Sequence, residues 1–110
     1  MKQYVIDEIR PEDYMQIKAF LDNSYGESEL GGIYWMPVDE ALLTSLQASH
    51  KACQPFYVTL DLEPHRLACE LLIRTKQHVR CDCMGYATEE QRNGIIRHID
   101  GVFKELEIIT

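Results

Sequence analysis

Two stretches of the chain carry residue types that bind metals or react as nucleophiles. His50 and Cys53 stand three positions apart in "SHKAC", and Cys81 and Cys83 flank Asp82 in "RCDCMG". Three thiols and an imidazole make a Cys₃His set, the donor chemistry of a tetrahedral zinc site. The Cys-x-Cys spacing argues the other way. On one face of a strand it separates the β-carbons by about 6.5–7 Å, twice the strand rise. Two sulfurs on one zinc must come within about 4 Å of each other, and the tight turn of a Cys-x-x-Cys knuckle is absent. Free cysteine is also among the most buried residue types and packs as a small apolar side chain. The sequence therefore predicts core cysteines and no cofactor. A zinc-type site at His50, Cys53, Cys81 and Cys83 is the alternative, and a thiol-reactive role ranks below it.

Carboxylates form a second constellation. If the chain from Phe56 to Tyr86 is a meander, Glu70 faces Asp82 across the ladder and Asp61 lies on the diagonal. Like charges directly opposite repel, so a hard divalent cation could bridge the three, or the pair could do acid–base work. A solvated face in which arginines such as Arg74 and Arg80 offset the charge is the simpler expectation, so a small divalent-ion-dependent enzyme using Asp61, Glu70 and Asp82 stands as a second alternative.

The third constellation is "GGIYWMP", where Tyr34, Trp35 and Met36 follow a glycine pair. Trp and Tyr anchor binding hot spots and Met adapts to varied partners. Strand alternation offers the opposing reading, with Ile33 and Trp35 turned into the core and Tyr34 out.

The elements that must position these residues follow from periodicity. "QYVIDEI" is a strand. Pro11 opens a helix over "PEDYMQIKAFLDNSYG" with acids in its first turn, and Tyr14, Ile17 and Leu21 share one stripe. Residues of about 23–38 form a loop, flexible at its glycines, holding a short strand at "IYW". Asp39 caps a helix "EALLTSLQASHK", with Val38 and Leu43 spaced as a hydrophobic staple. "FYVTLDLE", "RLACELLIR" and "HVRCDCMGY" alternate with period two, joined by tight turns at Pro64-His65 and at Thr75–Gln77. Matching inner faces then sets Leu60 opposite Cys69, Thr59 opposite Glu70, Arg74 opposite His78, Ile73 opposite Val79, Leu71 opposite Cys81 and Cys69 opposite Cys83. Thr88 and Gln91 form a capping box for a last helix. Its stripe of Ile95, Ile96, Ile99, Val102, Phe103 and Leu106 must cover the sheet. Gly94 and Gly101 interrupt that helix, either to let a neighbour approach or because they face outward.

These elements predict a single α+β domain over residues 1–110. It has two layers: an antiparallel three-strand meander plus an N-terminal strand, packed on one face by three helices in the order β-α-(β)-α-β-β-β-α. The order of helix, three-strand meander and long helix resembles secretion chaperones and related peptide-binding domains. That resemblance lies in architecture and implies peptide binding without assigning residues.

Composition narrows the function classes. The 110 residues carry 18 acidic against 11 basic side chains, a net charge of −7. That surface repels phosphate backbones and anionic lipid, so no nucleic-acid or membrane partner is expected. The N-terminus lacks a signal-peptide core and no apolar run reaches a membrane span. A cytoplasmic location with reduced thiols is therefore expected, against a Cys69–Cys83 disulfide. Phosphate-loop, dinucleotide, nucleophile-elbow and zincin motifs are absent, and His50, His65, His78 and His98 have no obvious local partner. The favoured reading is a small acidic, non-catalytic protein- or peptide-binding module of adaptor or chaperone type, a candidate homodimer. Tyr34, Trp35 and Met36 are its candidate contact residues.

Overall fold

The computed structural model describes residues 2–26, 31–76 and 81–109. The chain forms β1 (Gln3–Ile6), α1 (Pro11–Tyr25), β2 (Ile33–Pro37), α2 (Ser45–Ser49), β3 (Phe56–Glu63), β4 (Arg66–Thr75), β5 (Gly85–Tyr86) and α3 (Glu89–Glu105). Short 3₁₀ turns at Glu40–Leu42 and Lys51–Cys53 flank α2. The sheet is antiparallel, in the order β1-β4-β3-β2, with β5 also paired to β4. This is the expected α+β arrangement.

Alternation builds the core. Phe56, Val58, Leu60 and Leu62 of β3 and Leu67, Cys69, Leu71 and Ile73 of β4 are buried on one face. Ile17 and Leu21 of α1 and Ile95, Ile99 and Phe103 of α3 complete the same core cluster. The Pro64-His65 turn fixes the β3–β4 register, with Leu60 opposite Cys69 and Thr59 opposite Glu70, as the sequence predicts. The glycine pair before β2 answers a steric demand. Gly32 sits at φ +99°, and a Cβ there would lie 2.6 Å from the Leu62 carbonyl oxygen.

The meander β3-β4-β5 forms as expected, but beyond Glu70 its expected register fails. The free edge of β4 is divided between two strands. β1 takes Leu67 to Glu70, with Gln3 opposite Glu70, and β5 takes only Leu72 and Ile73, opposite Tyr86 and Gly85. The handover falls at Leu71, whose N–H donates to the Lys2 carbonyl and whose carbonyl accepts from the Ala87 N–H. An irregularity between Tyr57 and Thr59, paired with Arg74 and Glu70, gives β4 extra residues there, and such bulges bend a strand. Cys83 therefore does not face Cys69, and Cys81 does not face Leu71. The predicted partners His78 and Val79 lie outside the described residues, as does Gln77 of the expected turn.

Two further expectations are corrected. The second helix is not continuous from Asp39. Asp39 caps only the 3₁₀ turn, through Ala41 N–H, and Thr44 with Gln47 then forms a full capping box that starts α2 afresh. Leu43, with an extended backbone, no longer stands at a staple position. In β2 the parity is opposite to the core-facing reading of Trp35: Tyr34 and Met36 are each 3 % exposed. They pair with the inward Leu60 and Val58, while Trp35 pairs with Thr59.

Candidate metal centre

A turn where the third strand is expected to run, just before β5, makes the site. Met84 N–H donates to the Cys81 carbonyl at 3.0 Å, closing a four-residue turn over Cys81–Met84. In a turn, Cys81 and Cys83 are no longer held two strand steps apart, so the objection to Cys-x-Cys as a ligand pair disappears. The other pair comes from the end of α2. His50 terminates that helix, and the 3₁₀ turn brings Cys53 back beneath it, with Cys53 N–H donating to the His50 carbonyl at 3.0 Å.

The two pairs meet. Ligand atoms of His50, Cys53, Cys81 and Cys83 all lie within 4.8 Å of one another. His50 Nδ1 is 3.1 Å from Cys81 Sγ, and Cys53 Sγ is 3.7 Å from Cys81 Sγ. A tetrahedron with Zn–S of about 2.3 Å and Zn–N of about 2.0–2.1 Å has edges of about 3.5–3.8 Å. The set fits such a polyhedron with small rotamer adjustments. Cys53 and Cys83 are buried, His50 and Cys81 half-buried, so the centre lies just under the surface.

Electrostatics within the cluster are uneven. Hydrogen bonds from the Cys83 side chain and backbone N–H, with help from His50 and Cys53, pull the Cys81 thiol down to about 7. Burial pushes Cys83 up to about 12, aided by its sulfur neighbours, and burial also raises Cys53. One favoured thiolate is ringed by thiols that resist ionisation. A divalent cation would reverse that balance, since a coordinating thiol is deprotonated outright.

Supporting contacts come from outside these four side chains. Thr75 Oγ1, at the end of β4, donates to the Cys53 carbonyl. Gln47 Nε2 donates to the Cys83 carbonyl at 3.0 Å. These two were not singled out in the sequence as parts of a site. The Thr44-x-x-Gln47 capping pattern was the available signal for the second.

The other constellations fare differently. Asp61 pairs with Ala68, and Glu70 with Thr59 and Gln3. Arg74 binds Glu70 at 2.6 Å. Asp82 lies exposed in the Cys81–Met84 turn, so no stripe joins Asp61, Glu70 and Asp82, because β1 occupies the edge that Asp82 was expected to take. Arg80 lies outside the described residues. Among the described residues the His50 cluster alone gathers three or more potential metal ligands. Of Tyr34, Trp35 and Met36, only Trp35 reaches the open sheet face. It meets Tyr57 edge-on at 5.7 Å, and Lys76 Nζ lies 5.2 Å from its ring centroid and 4.6 Å from that of Tyr57. Tyr34 instead points inward, its hydroxyl donating to Asp22 at 2.5 Å.

No helix among the described residues is long and apolar enough to cross a membrane. No protein-family model, curated protein or solved structure matches the chain.

Proposed function

We propose that this chain is a zinc-binding α+β domain in which His50, Cys53, Cys81 and Cys83 hold one ion. The convergence of those four side chains, from segments 27 residues of chain apart, carries the reading. Three thiolates and an imidazole select a borderline-soft, tetrahedral ion; the hard cations prefer oxygen, and the set contains none. Four protein ligands leave no open position for substrate, which is the mark of a structural rather than a catalytic centre. The ion's role is then to tie the end of α2 to the turn before β5.

The domain so held is read as a non-catalytic module for a protein or peptide partner, a second copy of the chain included. Trp35 and Tyr57, side by side on the sheet face away from the helices, support that part. Free thiols at all four cysteines suit a reducing compartment, and the cytoplasm is the proposed location.

Cobalt(II) titration tests the metal reading. Stoichiometric cobalt should give the intense visible bands of a tetrahedral ion and near-ultraviolet thiolate-to-cobalt charge transfer, both bleached by zinc. A titration with only the weak spectrum of hydrated cobalt would overturn it.

A further inference from the structure

Behind the four ligands lies a buried pair of amides. Gln47 is 5 % exposed and Gln91 is 2 % exposed. Each is the third residue of a capping box, Gln47 for α2 and Gln91 for α3. Gln47 Oε1 accepts from Thr44 N–H at 3.1 Å and from Gln91 Nε2 at 2.8 Å. Its Nε2 donates to the Cys83 carbonyl at 3.0 Å. Gln91 Oε1 accepts from Thr88 N–H at 3.0 Å, and its Nε2 also donates to the Leu42 carbonyl at 2.9 Å.

A capping box asks only for an oxygen at this position, and Glu serves as well as Gln. Here the amide nitrogens are also used, and they are the atoms a carboxylate lacks. The orientation of both amides is fixed by the network: a flip of Gln47 would set its NH₂ against the Thr44 N–H and its oxygen against the Cys83 carbonyl. A buried amide that loses such partners is costly, so the pair holds the Cys83 backbone firmly.

We propose that Gln47 is a positioning residue of the metal centre, orienting the Cys81–Met84 turn through the Cys83 carbonyl, and that Gln91 fixes Gln47. Metal affinity is then coupled to the seating of α3, whose first turn supplies Gln91. The proposal rests on the zinc reading above. Outer contacts of this kind are worth about 10–100-fold in metal affinity.

Gln47→Glu isolates the contact. It keeps the oxygen that accepts from Thr44 and Gln91, and replaces the donor to Cys83 with an acceptor. Zinc affinity, measured by competition with a chromophoric chelator, should fall about 10–100-fold, and the cobalt bands should shift. Gln91→Glu should move both readouts in the same direction, and Gln16→Glu, at an exposed position of α1, should move neither. Wild-type affinity and spectrum in folded Gln47→Glu and Gln91→Glu would overturn the positioning role and leave the zinc reading intact. Loss of the fold in both variants at saturating zinc would overturn it too, marking the pair as general core. A wild type that binds no zinc overturns the zinc reading, and the positioning role with it.

Discussion

His50 Nδ1 stands 3.1 Å from Cys81 Sγ, across 31 positions of sequence. The contact joins the last turn of α2 to the turn that leads into β5. Neither element is long: α2 has 5 residues and β5 has 2. Helices and strands this short have little stability of their own. A four-ligand cross-link at their junction would supply what their packing does not.

The cysteines should therefore differ in reactivity once metal is stripped. Cys81, drawn down to about 7 by hydrogen bonds from Cys83 and half-buried, should alkylate first near neutral pH. Cys69, held near 12 by burial and the Glu70 charge, should alkylate last. Zinc should protect Cys53, Cys81 and Cys83 and leave Cys69 unchanged. Peptide mapping after a timed pulse of iodoacetamide reads the order, and equal rates at Cys81 and Cys69 would contradict it.

The same shifts set a pH dependence for the metal-free protein. The lowered Cys81 contributes stability that is present above the ordinary thiol pKa and is lost as pH falls through about 7. The raised Cys69 and Cys83 contribute stability that is present below the ordinary thiol pKa and is lost as pH rises toward about 12. Melting temperature should thus peak between those limits and decline on both sides. With zinc bound, the acid limb should steepen, because protons compete with the ion for three thiolates. Melting curves across pH, with and without zinc, provide the check.

Two glycines in α3 separate packing from propensity. A Cβ at Gly101 meets open space, whereas one at Gly94 would lie 2.6 Å from a methyl of Leu42. Gly101→Ala should stabilise by about 0.5–1 kcal/mol through helix propensity. Gly94→Ala gains the same propensity but must displace the terminal methyls of half-buried Leu42, so its gain should be smaller than that of Gly101→Ala. Urea unfolding of both variants decides; equal gains would mean that Leu42 does not seat against the helix.

Trp35 should be open to solvent in the free protein. It lies half-buried on the sheet face away from the helices, beside Tyr57 and under Lys76. Its fluorescence should be quenched by acrylamide, and a protein or peptide partner on this face should shield it. Trp35→Ala should weaken that partner by about 2 kcal/mol or more if Trp35 is the anchor. Emission already inaccessible to quencher would contradict the exposed-anchor account.

How far the sequence discloses this architecture depends on the element. The β3–β4 hairpin is legible because a two-residue turn at Pro64-His65 locks its register and alternation does the rest. The ends of α1 are legible from Pro11 and Gly26, and the start of α3 from the Thr88–Gln91 box. The existence of the third strand is legible but its register is not, because period-two alternation over Val79, Cys81 and Cys83 looks the same whether or not the edge of β4 is free. β1 already holds that edge up to Glu70, a long-range fact with no local signature. For the same reason the carboxylate stripe through Asp82 dissolves and the Cys-x-Cys pair becomes a turn. The break in the second helix was visible in principle at Thr44-x-x-Gln47, but an apolar run on both sides concealed it. In β2, alternation gives two faces without saying which is inward. Tyr34 goes in because its hydroxyl finds Asp22, leaving Trp35 outside.

Elemental analysis tests most directly whether His50, Cys53, Cys81 and Cys83 hold an ion. Protein purified without chelator from a zinc-replete culture should carry about one zinc per chain. The content should fall sharply in Cys83→Ser, in which a buried ligand is lost. Below about 0.2 zinc per chain in the wild type, with all four thiols titrating as free, the convergence of His50, Cys53, Cys81 and Cys83 would be core packing and the zinc reading would be contradicted.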